Sequence, residues 1–201
     1  MDILNGLRIP PIAHQDWTQE VRDILALFSE QLAQLGSSGN ENEKDNLSLI
    51  LSTLLQHPPL AKAFLPFGRY LLVDSTLDER CRELIILRVT WLWRCEYEWA
   101  HHSMSALGSR LFSEVEVERV KQPVLSLAES EWREQEALLL LAVDELRECS
   151  NIKTETWQAL SRHYSRQQLM DIVFTVGGYA LSGMFMNAFG IPLKEDMHGF
   201  D

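Results

Sequence analysis

The stretch Glu83-Leu-Ile-Ile-Leu-Arg88-Val-Thr-Trp-Leu-Trp-Arg-Cys95-Glu-Tyr-Glu98-Trp-Ala-His-His102 decides how the chain is read. An apolar run with one acid and one arginine leads straight into a thiol, a carboxylate and an imidazole. A helix advances about 100° per residue, so Glu98 lies about 60° and His102 about 20° from Cys95. The three share one narrow face. His101 falls about 120° away, so His102 is the candidate. Such a trio can exchange protons near neutral pH. The plainer alternative is an exposed Glu/His pair beside a buried structural cysteine. Tyr97 and Trp99 beside Glu98, with Trp91 and Trp93 upstream, favour a partly desolvated site.

These residues resemble the carboxymuconolactone decarboxylase superfamily, which includes the alkylhydroperoxidase D-like proteins. The peroxidase branch carries a glutamate, then Cys-x-x-Cys, then a histidine four residues on. Glu83, Cys95 and His102 match those places, and Glu98 stands where the second cysteine would be. The resemblance continues through Ala106-Leu-Gly108, Ser113-Glu-Val-Glu116, Leu141-Ala-Val-Asp-Glu-Leu146 and Asn187-Ala-Phe-Gly190. It implies an all-α, alkylhydroperoxidase D-like helical bundle. It also implies a homo-oligomer, whether dimer, trimer or hexamer.

At 201 residues the chain suits one domain. The expected layout is an N-terminal segment and helix over 1–45 and a core over 58–190. The net charge of −11 disfavours nucleic-acid and anionic-membrane surfaces, which need basic patches. Three cysteines, Cys81, Cys95 and Cys149, are not a disulfide framework. No signal-like start is present, so the cytoplasm is the expected compartment. Ile172 to Met186 carries no charge but is short for a membrane span, and a buried helix is the better reading.

Helices are expected over about 16–35, 47–56 and 60–72. The second should end before Pro58-Pro59, with Pro66 a kink or break in the third. Ser75-x-x-Asp78 and Thr76-x-x-Glu79 resemble capping boxes, so a further helix should open near 77. Unbroken to His102, it would leave Glu83 about 120° off the shared face. A bend near Arg94–Cys95 is therefore needed, although no Gly or Pro marks it. The site helix should stop at Gly108, and Ser113-x-x-Glu116 should cap a short helix to about Lys121. Helices over 131–148 and 154–163 follow, and Ser165-x-x-Gln168 opens the last, which ends at Gly190. Glycines inside it imply close approach of a helix or subunit.

Two-cysteine peroxidase cycling needs an attacking and a resolving thiol, and Glu98 removes the second. What remains suits acid–base work without a cofactor on a small organic acid or lactone. Glu98 would donate or accept the proton, His102 would orient it, and Glu83 would be a second acid or the partner of His102. Arg88 is the candidate cation for a substrate carboxylate; otherwise it pairs with Glu83 or Glu98. Tyr179 and Asn187 resemble pocket-lining positions. Two same-face ligands do not make a metal site, so none is expected. Two further readings are a single-cysteine peroxidase using Cys95 and a non-catalytic ligand-binding module.

Overall fold

The computed structural model describes residues 6–33, 49–124, 130–194 and 197–200. Among these, every regular element is helical. The helices are α1 (Gln19–Ala33), α2 (49–54), α3 (Pro58–Arg69), α4 (Glu79–Leu92), α5 (Glu96–Gly108), α6 (Glu114–Val120), α7 (Glu134–Cys149), α8 (Thr154–His163) and α9 (Arg166–Phe189). A π-helical turn, Tyr70–Asp74, follows α3. The expected all-α class is what the chain adopts. The expected linker over 40–46 lies outside the described residues.

The chain forms two compact units. The first comprises residues up to Tyr70 together with Ala188–Pro192. Val21, Ile24, Leu51, Leu54, Leu55 and Ala61 form its core. Helix α2 ends before Pro58-Pro59, as expected, and the two prolines themselves open α3, ahead of its expected start near residue 60. A proline lacks an N–H that the first turn of a helix does not need, and its fixed φ is already helical. His57 completes the cap by accepting from Leu60 N–H at 3.3 Å. Pro66 lies inside α3 without ending it. Gly190 has φ +73°, and a Cβ there would lie 2.1 Å from the Gly6 carbonyl oxygen. The chain can close back on the Arg8 amide, which donates to Phe189 O at 2.7 Å, only with glycine at that position.

The second unit comprises Leu71–Asn187 and Leu193–Asp201. At its centre is α4, buried without interruption from Glu83 to Thr90 and packed against α5, α6 and α7. A helix apolar on all sides belongs inside, which is why Glu83 and Arg88 must find partners there. Leu84, Leu87, Trp99, Ala106, Phe112, Val120 and Leu140 form the main cluster. The start of α4 is capped by Asp78, whose carboxylate accepts from Cys81 N–H at 2.9 Å. Neither expected capping box forms there. Ser75 accepts from Leu77 N–H instead, and Thr76 donates to Asp171 on α9. The boxes at Ser113/Glu116 and Ser165/Gln168 do form and start α6 and α9. Helix α5 ends at Gly108, as expected, and Arg110 just beyond it takes the left-handed conformation at φ +60°. Helix α9 is long and apolar enough to cross a membrane, but 56% of its most apolar window is buried in the protein.

Candidate active site

A bend between α4 and α5 builds the site. Arg94 adopts φ +56°, its N–H bonds Trp91 O at 3.2 Å, and Cys95 N–H bonds Thr90 O at 2.9 Å. This is the bond pattern of a helix stop that ordinarily uses glycine. A side chain in this conformation costs roughly 1–2 kcal/mol. The Arg94 guanidinium lies over the rings of Trp91 at 5.0 Å and Phe200 at 4.3 Å, contacts that offset the strain. Asn187 fastens the bend from α9, donating to Trp93 O at 3.4 Å and Arg94 O at 3.1 Å. It therefore shapes the site through the backbone rather than lining it as expected.

The bend aims three groups at one another. His102 Nδ1 is 2.7 Å from Glu83 Oε1, and His102 Nε2 is 3.3 Å from Glu98 Oε2. Glu83, Glu98 and His102 are each no more than 8% exposed. The Tyr179 ring meets the imidazole edge-on at 5.3 Å. Burial drives the His102 pKa down, but Glu83 and then Glu98 outweigh it and raise it to about 10. At neutral pH His102 is an imidazolium held between two carboxylates.

Cys95 is the N-cap of α5 and is fully buried. Gly183 of α9 makes room for it, since a Cβ there would lie 3.0 Å from Cys95 Cβ. Burial pushes the thiol up to about 12; the backbone amides of Glu98 and Tyr97 act the other way, and the Glu98 charge adds to the rise. The amides at the start of α5 favour the thiolate, but desolvation outweighs them.

Arg88 does not serve the site, and its expected partners were the wrong acids. Its guanidinium grips Asp144 of α7 through Nε at 2.7 Å and Nη2 at 2.8 Å, and donates to Val120 O at 2.6 Å. The tryptophans also lie elsewhere than expected. Trp91 and Trp99 pack with Phe200 rather than around His102. The sequence reading missed Arg82. Its Nε is buried with no hydrogen-bond partner, and its charge lowers the Tyr179 phenol against burial and the two glutamates. Adjacent to Glu83, it was legible only as one more surface arginine.

Part of the chain resembles a known family. Residues 58–120 match the profile of the Carboxymuconolactone decarboxylase family. Solved structures share the fold. A peroxidase-related protein with an alkylhydroperoxidase AhpD core, from Ralstonia eutropha JMP134, superposes with TM-score 0.68 at 17% identity, covering 94% of this chain and 93% of that one. A protein of unknown function from Agrobacterium tumefaciens, described as a putative antioxidant defence protein AhpD, gives 0.62 at 18% identity over 71% and 96%. The debrominase Bmp8 gives 0.67 at 16% identity over 93% and 92%. Among curated proteins none matches the sequence significantly. Residues 58–120 thus resemble the carboxymuconolactone decarboxylase family, and the chain has the all-α fold of the AhpD-like structures.

Proposed function

We propose that this chain is a cofactor-free acid–base enzyme acting on a small organic acid or lactone, with Glu98 as the proton-transferring group. The observation that carries this reading is the continuous path Glu83–His102–Glu98, in which an imidazolium is held ready between two carboxylates. In a decarboxylation, the carbon–carboxylate bond breaks, CO2 leaves and the electron pair stays on carbon. That carbon takes a proton through Glu98, and His102 supplies it. Glu83 holds the imidazole in place, and the ring later regains its proton from water. Arg82, with its unfilled Nε beside Tyr179, is the cation for a substrate carboxylate.

The peroxidase reading needs a resting thiolate, and the buried Cys95 is held as a thiol. Turnover across a panel of lactones and small carboxylic acids tests the proposal. Glu98→Gln should lower kcat by about 100-fold or more, the usual worth of a positioned acid or base. Cys95→Ser should keep most of the activity. A glutamine variant as fast as the parent would overturn the proposal.

A further inference from the structure

Phe200 is far from Glu83 and His102 along the chain, yet it sits on the bend that brings them together. Its ring meets Trp91, in the last turn of α4, edge-on at 5.2 Å, and Trp99, in the first turn of α5, at 6.2 Å. The Arg94 guanidinium lies 4.3 Å from the same ring. The backbone of Phe200 is held as well. Its N–H donates to Glu96 Oε1 at 3.4 Å, and Lys121 Nζ donates to its carbonyl at 3.5 Å. Lys121 Nζ also lies over Trp91 at 5.3 Å and Trp99 at 5.4 Å. One aromatic residue thus touches the end of α4, the bend and the start of α5.

We infer that Phe200 is a positioning residue: it keeps Arg94 left-handed, and through that bend it keeps Glu83 of α4 against His102 of α5. The reason is where the strain lies. A non-glycine residue at φ +56° persists only where its surroundings hold it there. Arg94 is exposed, so core packing does not hold it. Its guanidinium is engaged by the rings of Trp91 and Phe200. Asn187 fastens the carbonyls of the same bend from α9, so the bend is clamped on two sides.

The consequence is selective. The charged and titratable groups facing the His102 ring are Glu83 from α4, Glu98 and His101 from α5, and Tyr179 from α9. Glu98 and His102 share a helix, so their contact survives a change in the bend. Of the two carboxylates, only Glu83 reaches the ring across it. A loosened bend therefore weakens one carboxylate's hold on the imidazole and spares the other. The inference rests on the acid–base reading for its chemical meaning, but its test reads the ring rather than turnover, so the two fail separately.

The test is the titration of the His102 ring by nitrogen-15 NMR in the full chain, with circular dichroism to confirm folding. Phe200→Ala should lower the titration midpoint by about 1 pH unit or more, the scale of a lost carboxylate contact. Phe200→Tyr, which keeps the ring, should titrate as the parent does. Arg94→Gly is the control, because glycine takes positive φ without strain. In the Arg94→Gly background, Phe200→Ala should move the midpoint little, a repair that a general loss of packing would not show. If the alanine variant does not fold, Phe200→Leu, which keeps bulk but has no ring face, is read in its place. A Phe200→Ala ring that titrates with the parent, or a shift that persists in full with Arg94→Gly, would overturn the inference. A parent ring titrating near the ordinary 6.5 would overturn the acid–base reading along with it.

Discussion

Glu83 and His102 are 19 residues apart, on different helices, yet Oε1 of one lies 2.7 Å from Nδ1 of the other. Everything between them serves this meeting: the end of α4, the left-handed Arg94 and the capped start of α5. The pairing turns a histidine into a standing cation, and this has consequences for stability as well as chemistry.

Because the folded His102 has a raised pKa, its contribution to stability is fully present below the unfolded value of 6.5. It fades as pH rises through about 10. Urea denaturation should therefore show the parent losing stability between about pH 6.5 and 10. His102→Asn should lack that component of the pH dependence. Parallel profiles for the two proteins would refute the pairing.

Thiol reactivity separates the three cysteines. Cys149 is exposed, whereas Cys81 and Cys95 are buried and both pushed up to about 12. At pH 8 a thiol reagent should modify one cysteine quickly in native protein and three after denaturation. Mild peroxide should leave Cys95 unmodified; a sulfenic acid found there by mass spectrometry would instead favour the peroxidase reading.

Gly183 is required for packing. Gly183→Val drives branched carbon into Cys95 and Trp93, whose Cβ atoms would lie 3.0 and 3.8 Å from the new Cβ. Overpacking of this kind costs about 1–3 kcal/mol. The melting temperature should fall accordingly. Gly108→Ala, in open space, should not lower it.

The buried Arg88 and the half-buried Asp144 form a pair with a structural role. Removing one partner, as in Asp144→Ala, leaves the guanidinium uncompensated and should cost about 3 kcal/mol. Any catalytic activity should persist in the folded fraction. A large rise in KM without loss of stability would return Arg88 to substrate binding.

Much of this was legible in the sequence because the signals were local. The Ser113/Glu116 and Ser165/Gln168 boxes and the Glu98/His102 spacing all act within one turn of helix. The need for a bend was legible from the 120° mismatch, but its means was not. Arg94 takes a conformation that residue type argues against, and it is held there by Phe200 from the far end of the chain. Arg88 was misassigned for a similar reason, since Asp144 lies 56 residues away. Pro58-Pro59 was legible as the limit of α2 but not as the opening of α3, because proline ends one helix and opens another with the same chemistry.

The central claim is that His102 rests as an imidazolium between Glu83 and Glu98. Nitrogen-15 NMR of the histidine rings reads this directly. The account predicts a doubly protonated His102 at pH 8 that titrates near 10. A neutral ring at pH 8, titrating near the ordinary 6.5, would contradict it.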